Sequence, residues 1–238
     1  MAKPATARRY LAELDEERRL KDRFMSEHPE SPFVDAHVPG FTGLHYFPPD
    51  ASYRVTAVLE RVDPPQYAYL RTNRDNQAEM RLIGHLRFAL GGRALSLRVY
   101  HASGSASTSV FVPFRDRTSG HDSYGPGRYL TIDLNETDRY DLDFNRAFNP
   151  YSAYTDAFEC SFPPAENDLP LPIRAGEKVW AADRNPSSPE GAVREMVDKA
   201  LHRGPAKSAG TRKRSNPDRR VSRPAPDPVK RPGRARRL

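Results

Sequence analysis

At 238 residues with 37% apolar content, the chain is long enough for one good core. Its net charge of +7 is unevenly spread: residues 203–238 hold 13 Lys/Arg against 2 Asp, a tail of +11 that leaves −4 for the rest. One Cys rules out an intramolecular disulfide, and no run of about 18 apolar residues exists to form a membrane-spanning helix. The N-terminal stretch also lacks the apolar core of a signal peptide, so the expectation is a soluble cytoplasmic protein.

Residues from about Ala5 to Ser26 are rich in Ala, Leu, Glu, Arg and Lys, good helix formers, and predict a helix within 1–30. Its apolar positions Leu11, Leu14, Leu20, Phe24 and Met25 leave a polar gap over 15–19, and so weak a stripe predicts packing at the domain's edge. Pro29 and Pro32 end it, since proline lacks an amide hydrogen and its predecessor avoids helical angles. From Tyr53 the period becomes two: Tyr53, Val55, Ala57 and Leu59 share one face, with Arg54, Thr56 and Glu60 on the other. Pro64 and Pro65 are expected to stop this strand, with a second short one over 66–72 and a polar turn over 73–76.

Gly91 and Gly92 predict a two-residue hairpin turn. Paired positions must then sum to 183, so Phe88 faces Leu95, Leu86 faces Leu97 and Gly84 faces Val99 on one apolar side. The other side sets His85 against Arg98 and Ile83 against Tyr100, a mixed surface fit for solvent or a pocket wall. Residues 110–114 are apolar on both faces and predict a central strand. Residues 127–134 and 139–145 are expected to pair as a second hairpin across 135–138, and 171–180 to supply a last strand. Together these predict a mainly β domain over 38–180, an antiparallel barrel or sandwich with an N-terminal helix. Beyond it, 181–202 reads as a linker with a short helix over 188–202. The stretch 203–238, without an aromatic residue, reads as a disordered basic tail.

The chemistry concentrates in two loop regions, 112–129 and 143–167. Arg115 and Asp116 close an apolar strand, either as an ion pair with Asp116 or Asp143 locking a loop or as a guanidinium offered to an anion. Ser119 and His121 are two apart with a Gly between them, a turn rather than a nucleophile and its base. Tyr124, Arg128 and Tyr129 flank two glycines, a lid over a ligand or a ring cover for the core. Asp143, Asn145, Asn149, Tyr151, Glu166 and Asn167 add amide, phenol and carboxylate groups, each suited to capping a turn when taken singly. As a set, Arg115, Asp116, Ser119, His121, Tyr124, Arg128, Asp143, Asn145, Asn149, Tyr151, Glu166 and Asn167 predict a pocket for a small polar or anionic molecule.

Two other readings stay open. One is a structural or partner-binding module whose polar loops stabilise each other. The other is an acid/base enzyme using Glu166, Asp143 or His121, with Arg115 or Arg128 holding an oxyanion. The histidines show no metal-ligand spacing, and neither a Walker pattern nor a G-x-G-x-x-G after a strand occurs, so no metal or cofactor is implied. The tail predicts weak nonspecific contact with nucleic acid or another polyanion, or solvation alone; it is too poor in apolar residues to anchor in a membrane.

Several spaced segments also carry a resemblance: Leu44-His-Tyr-Phe-Pro-Pro49, Val112-Pro-Phe-Arg-Asp116, Thr118-Ser-Gly120, Tyr124-Gly-Pro-Gly-Arg-Tyr-Leu130, Asp143-Phe-Asn145, Asn149-Pro-Tyr151, Pro163-Pro-x-Glu-Asn167 and Ala175-Gly-Glu-Lys178. Over roughly 17–178 the chain resembles the microbial family called domain of unknown function 1684. The resemblance implies a mostly β domain and no reaction. It also implies a Cys in the Asn-Pro-Tyr segment and another before the double Pro; here Ser152 stands at the first position and Cys160 at the second.

Overall fold

The computed structural model describes residues 4–33, 41–103 and 107–180; the expected linker, short helix and basic tail lie outside them. Helix α1 (Pro4–Glu27) precedes six strands: β1 (Arg54–Arg71), β2 (Gln77–Leu90), β3 (Arg93–Ala102), β4 (Ser109–Phe114), β5 (Arg128–Asp133) and β6 (Arg139–Asp143). The strands form one antiparallel sheet in the order β5-β4-β3-β2-β1-β6, curled into a nearly closed barrel. No helix among the described residues is long and apolar enough to cross a membrane.

The Gly91-Gly92 turn sets the register. Both glycines adopt left-handed angles, φ 58° and 72°, and Phe88 pairs with Leu95, Leu86 with Leu97, His85 with Arg98 and Gly84 with Val99, as the sum rule expects. The register then slips, so that Leu82 rather than Ile83 faces Tyr100; Ile83 is the extra residue of a bulge. Pro64 and Pro65 also behave differently from expectation. They interrupt pairing between Arg61 and Gln66 but do not end β1, which resumes against β2 at Gln66. Proline is tolerated there because a bulge needs no ladder hydrogen bond from it.

The residues on the sheet's inner face meet in the barrel core, built on Ala57, Leu59, Leu86, Leu97, Val99, Val112, Phe114, Leu130, Leu142 and Phe144. β4 is flanked on both sides, by β5 and β3, though it lies one place from the sheet's edge rather than at its centre. β5 and β6 do not pair with each other: β5 lies along β4 and β6 along β1, so the connection over 135–138 links the two edges of the sheet. The stretch 171–180 forms no strand; its Glu177 makes an isolated bridge with Tyr46, and its Ile173 and Ala175 are buried in the barrel core.

α1 packs outside the barrel. Its Leu14 and Met25 are buried while Leu11 and Leu20 stay exposed, the outcome of an apolar stripe broken in the middle. Met25 joins Phe33, Leu44 and Tyr154 in a second cluster. A third cluster, Leu70, Leu82 and Tyr100, sits on the outer face of β1 to β3.

Candidate functional site

Arg128 opens β5, and its guanidinium is sealed inside. Nη2 donates to Asp116 Oδ2 at 2.8 Å, with both side chains at 0% exposure. The same group donates to the carbonyls of Ile173 (2.8 Å), Ala175 and Glu177 (3.0 Å). Asp116 Oδ1 accepts from Thr118 N (2.7 Å), Thr118 Oγ1 (2.6 Å) and Ile173 N (3.1 Å). One buried ion pair thus holds the irregular strip 173–177 where a strand ladder is missing. Burial lowers the Arg128 pKa, and Asp116 opposes that shift.

The remaining expected residues fall into further internal clusters. Asp143 accepts from Tyr10 Oη (2.9 Å) and from Asn145 N and Nδ2 (both 3.0 Å), and pairs with Arg146. Asn145 also clasps both main-chain groups of Asp50 at 2.9 Å. Asn149 N donates to Glu177 Oε2 at 2.8 Å, and buried Glu177 takes the Tyr154 hydroxyl (2.7 Å) and Lys21 as well. Asn167 bridges strands, accepting from Arg98 N (2.7 Å) and donating to Arg98 O (3.0 Å) and Pro113 O (2.6 Å). Ser119 Oγ accepts from Asp116 N at 3.1 Å, and His121 lies exposed in the same turn. Tyr124 Oη donates to Ser152 O at 3.2 Å; Tyr151 stacks edge-on to Phe158, and burial pushes its hydroxyl up to about 12. Arg115 meets neither expected carboxylate, because Asp116 is held by Arg128 and Asp143 by Arg146. Instead its main chain binds Asn167 O (3.0 Å) and Leu169 N (2.8 Å), while its buried Nε has no partner.

Glu166 stands elsewhere. It borders an open groove of about 630 Å³ on the outer face of β1 to β3, together with Val62, Gln66, Tyr67, Ala68, Tyr69, Leu70, Leu82, His85, Arg98, Tyr100 and Pro164. The floor is the third apolar cluster, placed outward by the bulge at Ile83. Without that extra residue Leu82 would face the core, so the slip of register is what builds the site. The wall is polar: Arg98 Nη2 lies 2.9 Å from Glu166 Oε1, with side chains 34% and 51% exposed. His85 is next to Arg98 on β2, and its pKa is lowered by burial and then by the charges of Arg87 and Arg98, with Glu60 opposing. Burial raises the Tyr100 pKa against a hydrogen bond with Arg98. A second depression, of about 620 Å³, is bordered by Phe47, Tyr53, Asp122, Arg174 and Lys178. There Arg174 is already paired to Asp122 at 2.8 Å.

The loop 163–167 reaches the groove because Asn167 ties it to β3 and β4, and Arg115 holds the following residues from the other side. Sequence reasoning placed His85 and Arg98 on one mixed face without counting them, or Tyr100, among the candidates. The signal was available as a histidine, an arginine and a tyrosine alternating on the non-core side of one hairpin. Glu177, Tyr154 and Tyr10 carried no such signal, since their partners lie far away in the chain. Among the described residues no cluster of three or more His, Cys, Asp or Glu is placed to hold a metal ion.

Residues 39–178 match the family described as protein of unknown function (DUF1684). The chain is similar to an uncharacterised protein of Haloarcula marismortui whose structure was solved by NMR in solution. The two share 37% identity over 74% of this chain and 97% of that one, with a TM-score of 0.59. No curated protein matches the sequence. With more than half of its length inside the family's boundaries, a relative of that fold, and a nearly closed antiparallel barrel of its own, this chain belongs to the DUF1684 family.

Proposed function

We propose that this protein is a binding module that takes a small molecule with an anionic or polar head and an apolar body into the groove beside the 163–167 loop. The observation that carries this reading is the contrast between two arginines. Arg128 is spent on a fully buried carboxylate and three carbonyls. Arg98 is paired with a half-exposed carboxylate, and such solvent-facing pairs contribute only about 0–1 kcal/mol. A ligand carboxylate or phosphate can therefore replace Glu166 on Arg98 at little cost, and a planar guanidinium receives it through two parallel hydrogen bonds. Val62 and Ala68, half-buried against the Leu70, Leu82 and Tyr100 cluster, border the groove where the apolar body would lie. The 112–129 loop contributes from behind, holding Asn167 and Leu169 through Arg115.

The test is a ¹⁵N NMR titration of the full chain with short-chain carboxylates and phosphate monoesters. Shifts centred on His85, Arg98 and Tyr100, lost in Arg98→Ala and kept in Arg174→Ala, are expected. Shifts centred on Arg174 and Lys178 instead would overturn the assignment.

A further inference from the structure

The groove's polar wall belongs to a row of side chains set next to one another. Glu60 on β1 is the direct cross-strand partner of His85 on β2, and His85 of Arg98 on β3, which places neighbouring Cβ atoms about 5 Å apart on the outer face. Glu166 on the 163–167 loop meets Arg98 from the far side at 2.9 Å. Glu60 is held instead by Arg87 Nε at 2.7 Å, and neither of these two borders the groove. His85 stands between the arginines; burial and then their charges lower its pKa, so the ring is uncharged at about pH 7.5. The side chains lining the groove then hold one cation, Arg98, and one anion, Glu166. Glu166 cannot withdraw. Asn167 beside it is fixed by hydrogen bonds to Arg98 N, Arg98 O and Pro113 O, and the turn is closed by Asn167 N on Pro164 O (2.9 Å) and Asp168 N on Ala165 O (3.1 Å). A guest that takes Arg98 moves only the Glu166 side chain, whose carboxylate stays within about 8 Å, the Debye length at physiological salt.

We infer that Glu166 is a tethered charge filter that restricts the groove to guests with a single negative charge, an aliphatic monocarboxylate rather than a phosphate monoester. This rests on the reading of the groove as a binding site and narrows its ligand to one class. Attraction to Arg98 grows in proportion to the guest's charge, whereas the cost of taking a charge out of water grows with its square. A dianion therefore doubles the gain and quadruples the penalty. One guanidinium with a carboxylate held beside it has too small a field to make up the difference, and the uncharged His85 adds nothing to it. A carboxylate also meets the guanidinium fork with its two oxygens and leaves none over. A phosphate monoester keeps a third charged oxygen, for which the lining side chains offer no second cation. The aliphatic part would lie along Val62 and Ala68.

The experiment titrates ¹⁵N-labelled full chain at about pH 7.5 with three probes that share one apolar body. They are hexanoate, a monoanion; hexyl phosphate, a dianion above its second pKa of about 6; and methyl hexyl phosphate, a monoanion with a phosphate head. Hexanoate and methyl hexyl phosphate should bind within about threefold of each other, and hexyl phosphate about tenfold more weakly. Glu166→Gln should raise every affinity, that of hexyl phosphate most, and shrink its deficit to about threefold, because the repulsion removed scales with the guest's charge. Hexyl phosphate binding as tightly as hexanoate would overturn the inference, and so would a deficit that Glu166→Gln leaves unchanged. Methyl hexyl phosphate as weak as hexyl phosphate would show that head shape rather than charge selects the guest, and would overturn it as well. In each of these cases shifts at His85, Arg98 and Tyr100 leave the groove standing; if none of the three probes moves those signals, the groove reading fails together with the filter.

Discussion

Replacing Arg128 by Ala separates a role in the fold from a role in binding. The substitution leaves Asp116 as a buried carboxylate without its cation and strips donors from the carbonyls of Ile173, Ala175 and Glu177. Breaking one side of a buried ion pair costs about 3–5 kcal/mol, and each carbonyl left unsatisfied adds about 1–3 kcal/mol unless water enters the space. Asp116 keeps its bonds from Thr118 and Ile173, which offsets part of the loss. A net loss of about 5 kcal/mol is expected, close to the whole stability of an ordinary domain. Urea unfolding followed by circular dichroism measures it, with Arg128→Lys as the comparison. Lysine keeps the charge but offers one compact ammonium where the site needs a spread of donors, so about 2–3 kcal/mol should be lost. A loss below about 1 kcal/mol for Arg128→Ala would show that the strip 173–177 does not depend on this pair, and the structural assignment of the cluster would be wrong.

Three further outcomes follow from single positions. A Cβ on Gly84 would lie 2.3 Å from Glu60 O, main chain that cannot move aside, so Gly84→Ala should cost at least about 2 kcal/mol in thermal unfolding; full stability would mean the bulge is not rigid. The buried Ser152 hydroxyl has no hydrogen-bond partner, so Ser152→Ala should leave stability unchanged or raise it by up to about 1 kcal/mol, and a clear loss would reveal an unseen partner. His85 titrates below the ordinary imidazole range in the folded protein, so between that lowered pKa and about 6.5 the unfolded chain binds more protons. Stability should therefore fall as pH drops through this window. Carboxylate affinity should rise only as pH falls further, through the lowered pKa at which folded His85 gains its charge, and both slopes should vanish in His85→Gln.

Much of the fold was written locally. Two glycines with positive φ fix a hairpin whose inward residues read directly as Phe88, Leu86, Leu97 and Val99, because the turn and the pleat are properties of neighbouring residues. The same holds for the helix and its proline stop. What lay beyond reach were choices between distant partners. Sequence brought 127–134 and 139–145 together as a hairpin by proximity, yet each strand found a better neighbour, β4 and β1, once the sheet curled. Arg128 could be recognised as important, but its carboxylate could not be named, since Asp116, Asp143 and Glu177 compete for cations and only burial sorts them.

The amino-acid order alone determined a mainly β domain behind a helix, the Gly91-Gly92 register and a surplus of polar groups in two loops, all set by short-range alternation and turn geometry. Only the tertiary structure decided that most of those groups would satisfy each other inside. It also decided that one extra residue at Ile83 would turn Leu82 outward, and that among the described residues no strand would lie beside Tyr67 and Tyr69 on the side of β1 away from β2. The physical reason is that a bulge and an uncovered edge depend on which strands end first, which is settled by long-range packing and has no local signature.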